Sequence, residues 1–131
     1  MRGLRLRDSV ETYMRTPPVM VLSSDSVLIV AERMYADNIG AVIVMRRGSP
    51  AGIITERDIL KKIVIDRKNP AKTTAQEVMS TPLVWIESNE TVADALELMR
   101  ENNVRRLAVI RNGRLVGMVT ERRLTLSYEK R

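Results

Sequence analysis

One stretch of this chain occurs twice. The segment GIITERD, residues 52–58, returns 65 positions later as GMVTERR, residues 117–123. The same offset aligns Met14 with Met79, Thr16 with Thr81, Pro17 with Pro82, and Asn38 with Asn103. Because the matches include Gly, Pro, Asn and Thr, chance similarity between two apolar segments does not explain them. An internal repeat of this kind predicts that the chain folds as two copies of one supersecondary unit.

The hydrophobic pattern predicts the order β-α-β-β-α in each copy. For the first copy we expect strands at Val19–Leu22, 41–45 and 51–54, with helices from about Val27 and over 56–65. For the second we expect strands at 83–86, 107–110 and 115–119, with helices over 92–101 and 121–127. Asn112-Gly113 is a strong hairpin signal. Short helices open both copies, the first from Ser9 with Asp8 and Glu11 in capping-box spacing, the second at the Thr74/Glu77 box.

The repeat also predicts the domain organisation. We place repeat 1 at residues 8–65, a polar linker containing Pro70 at 66–72, and repeat 2 at 73–128. A single unit of about sixty residues would leave its sheet half covered. The predicted fold is therefore α/β (α+β), with two repeats packed together about a pseudo-twofold axis in one module.

The amino-acid composition excludes several classes of function. The 131 residues include no cysteine and no histidine, which excludes disulfides, thiolate zinc sites, Cys or His nucleophiles and Ser-His pairs. No Walker-type or dinucleotide glycine-rich loop is present, so we expect neither an enzyme nor a metal site. The apolar runs are too short to span a bilayer, and residues 1–7 lack the apolar centre of a signal peptide. We therefore expect a cytoplasmic protein with no membrane contact.

The net charge of +6 leaves three interpretations open. It could serve a phosphate-bearing ligand, bind nucleic acid, or simply form a solvated basic surface. With one Trp, three Tyr and no Phe, the chain has few aromatic side chains on which single-stranded bases could stack.

The repeated segment is itself a candidate anion site. Each copy enters a short apolar run through a Gly and ends it at a Thr that can cap the following helix. Such a strand-to-helix junction directs free backbone N–H groups outward. The copies differ at one position, where the first has Asp58 and the second has Arg123. Taken alone, Asp58 is also explained by the preference of acidic residues for the first turn of a helix.

These motifs resemble the tandem CBS domain, named after cystathionine β-synthase and found in the γ subunit of AMP-activated protein kinase. The resemblance covers about residues 10–126. It rests on Met-x-Thr-Pro before the first strand, Asn-x-x-x-hydrophobic before the second, and Gly-hydrophobic-hydrophobic-Thr-x-x-Asp at the junction. It implies a regulatory module that binds an adenine nucleotide, with AMP as the first candidate and ADP, ATP or S-adenosylmethionine as others.

The resemblance also implies site residues. The junction Asp58 would accept the ribose hydroxyls, with Thr55 near the phosphate. The opposite wall would be Leu83 and Val84, and a basic cluster with Arg106 would hold the phosphate. The full implied set is Ile53, Thr55, Arg57, Asp58, Pro82, Leu83, Val84, Val104, Arg105, Arg106 and Arg122. A degenerate second site would comprise Pro17, Val19, Ile39, Gly40, Thr120 and Arg123, which lack both the ribose acceptor and the phosphate clamp.

Partners follow from the same resemblance. CBS pairs usually stack as dimers, so we expect a homodimer, with the apolar residues Ile59, Ile63 and Leu124 as candidates for the contact. We expect no cofactor beyond the bound nucleotide, and the regulated protein partner is not identified by the sequence. The alternative function is a basic nucleic-acid-binding or protein-interaction module that keeps the fold without sensing nucleotides. The absence of an appended helix-turn-helix or zinc module makes nucleic acid the less favoured partner.

Overall fold

The computed structural model describes the backbone of residues 2–129 and the side chains of residues 5–126. In chain order its elements are α1 (Arg2–Arg7), a 3-10 turn (Val10–Thr12), β1 (Met20–Leu22), α2 (Val27–Ala36), β2 (Ala41–Arg46), β3 (Ser49–Thr55), α3 (Glu56–Ile59) continuing into a π-helical segment (Leu60–Ile65), α4 (Ala75–Val78), β4 (Trp85–Glu87), α5 (Val92–Asn102), β5 (Arg106–Arg111), β6 (Arg114–Thr120) and α6 (Glu121–Glu129). The predicted β-α-β-β-α order is confirmed in both repeats. The strand predicted at 83–86 begins two residues later, at Trp85, and α1 occupies what the sequence indicated only as a basic tail.

The strands form two three-stranded sheets of the same design, in the orders β1-β2-β3 and β4-β5-β6. In each sheet the first two strands are parallel and the last two antiparallel. The β2–β3 hairpin pairs Ala41 with Thr55, and the β5–β6 hairpin pairs Arg106 with Thr120. Both strand-to-helix junctions therefore end a hairpin at the same register position.

The compact units are not the sequence repeats. One unit, here called the sheet-1 unit, is residues 19–83, and the other, the sheet-2 unit, is residues 1–18 together with 84–131. The helix that opens repeat 2, α4, buries Ala75 and Val78 in the core of the sheet-1 unit. The turn that opens repeat 1 buries Val10 in the core of the sheet-2 unit. Each unit therefore uses the opening segment of the other repeat.

Each unit has a core of its own, built largely from β-branched residues on the sheet and one stripe of each helix. The buried residues of the sheet-1 unit are Val19, Val21, Val27, Val30, Met34, Val42, Val44, Ile54, Ile63, Ala75 and Val78. Those of the sheet-2 unit are Val10, Ile86, Val92, Ala95, Met99, Leu107, Val109, Val119 and Leu124. The 3.6-residue periodicity predicts two apolar stripes, Val27, Val30, Ala31 and Met34 on α2 and Val92, Ala95, Leu96 and Met99 on α5. Both are confirmed, with Ala31 and Leu96 half-buried and the other six residues buried.

Most of the predicted turn and cap signals are confirmed. The Thr74 N–H donates to Oε1 of Glu77 at 2.9 Å in the expected capping box. Asn112 and Gly113 have φ of 52° and 78°, the left-handed pair that a tight hairpin turn requires. The Asp8/Glu11 box is wrong, because the side chain of Ser9 caps the turn and Asp8 accepts from the Tyr13 hydroxyl instead.

The sequence predicts Ile59, Leu60, Ile63 and Val64 as the apolar face of the helix after β3, and the structure corrects this prediction. Ile63 is only 6% exposed and Ile59 packs against the same core, but Leu60 and Val64 are 56% and 62% exposed. Leu124 of α6 is fully buried. Ile63 and Leu124 were therefore wrong as candidates for a dimer contact, because the core of their own unit already covers them. Among the helices that the structure describes, none combines the length and the hydropathy needed to cross a bilayer.

Candidate functional site

Gly52 allows another chain segment to lie directly on β3. A Cβ atom at this position would lie 2.8 Å from Sδ of Met79 and 2.8 Å from the Ser80 carbonyl oxygen, closer than real Cβ contacts allow. The segment is held by two backbone hydrogen bonds, from Ser80 N to Ile53 O at 2.8 Å and from Ile53 N to Ser80 O at 3.1 Å. The Met-x-Thr-Pro motif therefore runs along the strand that leads to Asp58.

Asp58 lies in the first turn of α3 and forms a capping box with Thr55. Its Oδ2 accepts the Thr55 N–H at 2.9 Å and the Thr55 hydroxyl at 3.1 Å, while its own N–H donates to Thr55 Oγ1 at 3.2 Å. Oδ1 accepts the Ser80 hydroxyl at 2.9 Å and lies 3.1 Å from Nζ of Lys62. The carboxylate is fixed by three residues and its side chain is only 12% exposed.

These contacts determine the charge of Asp58. Burial raises the pKa of the carboxyl, but hydrogen bonds from the Thr55 N–H, the Ser80 hydroxyl and Lys62, together with the Lys62 charge, outweigh it. The net effect holds the pKa of Asp58 below its ordinary value of 3.8. Asp58 is therefore ionised at neutral pH and is a hydrogen-bond acceptor only.

The sheet-1 unit contains the first half of the residues that the resemblance implied. Ile53 and Thr55 are half-buried at the end of β3, and Arg57 is exposed beside Asp58 in α3. Pro82 and Leu83 follow Ser80 at the end of the segment docked on β3, with Pro82 exposed and Leu83 half-buried. The structure thus groups the junction with the Met-x-Thr-Pro segment.

The sheet-2 unit contains the remaining residues of that set. Arg106 is half-buried at the start of β5 and pairs with Thr120 of β6. Arg105 is exposed, 3.9 Å from a carboxylate oxygen of Glu121, and its carbonyl accepts the Glu121 N–H at 2.8 Å. Val84, Val104 and Arg122 belong to the same unit. The structure thus groups Arg105 and Arg106 with the second junction of the chain.

The second junction repeats the backbone of the first with different side chains. Arg15 N donates to Met118 O at 2.8 Å and Met118 N to Arg15 O at 3.1 Å, the same pair of bonds that Ser80 makes with Ile53. The Arg123 N–H donates to Thr120 Oγ1 at 3.1 Å, as Asp58 does to Thr55. Arg15 and Arg123 therefore occupy the positions of Ser80 and Asp58. Two cations replace a hydroxyl and a carboxylate, so this junction lacks the carboxylate that the first junction offers to a ribose diol.

The other residues of the predicted second site are divided between the units. Val19, Ile39 and Gly40 lie in the sheet-1 unit, whereas Pro17, Thr120 and Arg123 lie in the sheet-2 unit. A cavity of about 730 Å³ lies between the end of α2 and the start of α3 and is lined by Ala31, Met34, Tyr35, Asn38, Ile39, Gly40, Glu56 and Ile59. This lining contains a carboxylate and no arginine or lysine, which disfavours a phosphate there.

Three residues of the two junctions were missed by sequence reasoning: Ser80, Lys62 and Arg15. Lys62 follows Asp58 by four residues, the spacing at which helical side chains meet. Ser80 and Arg15 occupy the variable position of Met-x-Thr-Pro in the two repeats. This position changes together with the junction residue. It is Ser80 where the junction residue is Asp58, and Arg15 where the junction residue is Arg123. Comparing the mismatches between repeats, rather than the matches, was the signal that could have found both.

Known proteins share both this sequence and this fold. The family model described as CBS domain matches residues 10–65 and 75–129. The CBS domain-containing protein YhcV of Bacillus subtilis is 33% identical over 111 residues, which cover 85% of this chain and 79% of YhcV. An uncharacterized protein of Methanopyrus kandleri is 36% identical over 99 residues, and the chain spans about half the length of that relative.

A solved structure extends the comparison to the fold. A CBS domain protein from Pyrobaculum aerophilum, complexed with AMP, superposes with a TM-score of 0.81 at 24% identity, covering 94% of this chain and 99% of that one. Its likeness shows the shared fold. Together with the family match over both repeats, it leads to one conclusion: the chain belongs to the CBS domain family and carries two copies of the domain.

Proposed function

We propose that this chain is a regulatory adenine-nucleotide-binding protein rather than an enzyme, with AMP as the first ligand and ADP, ATP and S-adenosylmethionine as alternatives. Occupancy of its site would alter a protein partner or the oligomer. The observation that carries the proposal is the carboxylate of Asp58, which is ionised, largely buried and fixed in direction. A carboxylate can accept both hydroxyls of a ribose, and charge-assisted hydrogen bonds are the stronger kind.

The remaining roles follow from the family resemblance. We assign the ribose to Asp58, the neighbourhood of the phosphate to Thr55, and the phosphate oxygens to Arg106, joined by Arg122. Guanidinium groups suit this role because their paired N–H groups match phosphate oxygens. The AMP complex of the Pyrobaculum aerophilum protein supports the choice of ligand, since it places AMP on a chain of this fold.

The test is calorimetric titration of the purified chain with AMP, ADP, ATP, S-adenosylmethionine and NAD. We expect AMP to bind at one nucleotide per chain, because the second junction carries Arg15 and Arg123 where the first carries Ser80 and Asp58. At these two positions a ribose diol meets two cationic donors in place of a hydroxyl and a carboxylate.

Arg123→Asp is the informative companion variant for this titration. It restores a carboxylate but leaves Arg15 in place of Ser80, so we expect no second equivalent site. Saturation of the unmodified chain at two equivalent nucleotides would show that the second junction was misinterpreted. If none of the five ligands gives a heat of binding and none competes with another for the chain, the proposed function is overturned.

We further propose that the chain is a homodimer, as is usual for CBS pairs. The structure removes Ile63 and Leu124 as contact residues, and the exposed apolar residues Leu60 and Val64 take their place. These two residues are four apart on one helical segment and therefore share a face. A second copy would cover this face in a symmetric pairing.

Val64→Asp tests this proposal directly. A carboxylate at the centre of an apolar contact should raise the dissociation constant of the dimer by roughly tenfold or more, since buried charges without a partner are costly. Sedimentation velocity across micromolar concentrations measures the shift. Gln76→Asp is the control, because it adds the same acid at an exposed polar position of the same unit. A monomer at every concentration of the unmodified chain would rule the dimer out.

A further inference from the structure

Four donor groups already surround the carboxylate of Asp58. A carboxylate offers about four hydrogen-bonding positions. Thr55 fills two of them on Oδ2, through its N–H at 2.9 Å and its hydroxyl at 3.1 Å. The Ser80 hydroxyl donates to Oδ1 at 2.9 Å, and the Lys62 ammonium lies 3.1 Å from the same oxygen as its ion-pair partner. A ribose diol, which brings two O–H donors, must therefore displace donors that are already present.

The four donors differ in how easily they can leave. The Thr55 N–H belongs to the backbone, and the Thr55 hydroxyl also accepts from Asp58 N at 3.2 Å, so both are part of the cap that begins α3. Ser80 is held to β3 by its two backbone bonds with Ile53, although its hydroxyl can rotate. Lys62 has a flexible stem, is 36% exposed and keeps a bond of 2.7 Å to the Val78 carbonyl if it leaves Asp58. Lys62 is thus the donor whose departure costs least.

We propose that Lys62 competes with the ribose diol for Oδ1 of Asp58, so that nucleotide binding displaces its ammonium and Lys62 sets the affinity of the site. The inference rests on the proposed function and deepens it, because it names a residue that controls the affinity of the same site. Lys62 acts through Asp58 and is therefore a positioning residue rather than a ligand contact. In the occupied state its ammonium remains on the Val78 carbonyl and in water.

Adenosine is the ligand for the test, since it has the ribose diol but no phosphate whose attraction to lysine would obscure the result. Lys62→Met should tighten adenosine binding by about two- to five-fold, the worth of a partly exposed ion pair. Lys61→Met is the matched control, because it removes the same charge from the neighbouring residue, which pairs with the exposed Asp66. Lys61→Met should leave the affinity unchanged.

Two further measurements separate competition from a general effect on folding. The Lys62→Met variant should bind 2′,3′-dideoxyadenosine, which lacks the diol, no more tightly than the unmodified chain does. Lys62→Gln keeps a donor for the Val78 carbonyl without the charge and should tighten adenosine binding in the same direction. It therefore preserves the test if Lys62→Met does not fold.

The outcomes distinguish this inference from the function on which it rests. Adenosine binding that requires Asp58 but is weakened by Lys62→Met, or matches that of Lys61→Met, would overturn the competition alone. Equal tightening with the dideoxy analogue would also overturn it, because the gain would then not involve the diol. Failure of the unmodified chain to bind AMP or adenosine would overturn the proposed function and this inference with it.

Discussion

Replacing Asp58 with alanine should weaken AMP binding by roughly 10- to 100-fold, because hydrogen bonds to a charged group are worth about 1.5–3 kcal/mol. The same substitution also removes the capping box of α3, which by itself costs about 0.5–2 kcal/mol of stability. The affinity must therefore be measured by calorimetry at a temperature where the variant is fully folded by circular dichroism. Asp58→Asn, which keeps an acceptor for the cap but not the charge, should weaken binding with a smaller loss of stability.

Asp94→Ala is the matched control for this experiment. Asp94 has the same place in α5 as Asp58 in α3, since it accepts the Thr91 N–H at 3.2 Å and donates its own N–H to Thr91 at 3.1 Å. Its loss should cost similar capping energy and leave AMP binding unchanged. An equal loss of AMP affinity in both variants would mean that Asp58 serves only to begin its helix.

The nucleic-acid alternative predicts a different result for the same variant. If the +6 charge acts on a phosphate backbone, binding to duplex or single-stranded DNA should be tight and steeply dependent on salt. It should survive Asp58→Ala and show no competition with nucleotides. AMP affinity that falls while DNA affinity hardly changes would instead favour the nucleotide sensor.

The second substitution with a large expected effect lies in the core and acts on stability. Ile63→Ala should destabilise the protein by about 2–5 kcal/mol, since the side chain is 6% exposed and its removal leaves a cavity in the sheet-1 unit. Ile65→Ala, the same substitution two residues later, should change stability by no more than about 0.5 kcal/mol because Ile65 is 60% exposed. Urea denaturation of both variants at one protein concentration measures the difference. Equal losses in the two variants would contradict the difference in burial between Ile63 and Ile65.

Local signals in the sequence were enough to predict most of the fold. Residues a few positions apart determine the order of strands and helices, the Thr74/Glu77 cap and the Asn112-Gly113 turn. The repeat appears when the sequence is aligned with itself at an offset of 65 positions. The stripe of the helix after β3 was harder to predict, because Ile59, Leu60, Ile63 and Val64 share one side of a helical wheel. The structure buries only the edge containing Ile59 and Ile63.

The site was predictable only in part for a related reason. Asp58 and Thr55 belong to one local motif, and their contact follows from the spacing of a capping box. Ser80 reaches Asp58 from 22 residues away because its segment docks on β3 beside Gly52. Such a contact depends on tertiary packing, which the periodicity of a single segment does not encode.

The exchange of opening segments between the repeats bears on how a tandem chain of this kind originates. A gene duplication copies one repeat together with its own opening segment. The unit that packs together is different, because Val10 lies in the sheet-2 core and Ala75 and Val78 lie in the sheet-1 core. A chain with a single repeat would complete its core by exchanging this segment with another molecule, as in domain swapping. Fusing two such copies makes the exchange intramolecular, which raises the effective concentration of each segment near its core. Completion of the core then no longer depends on protein concentration.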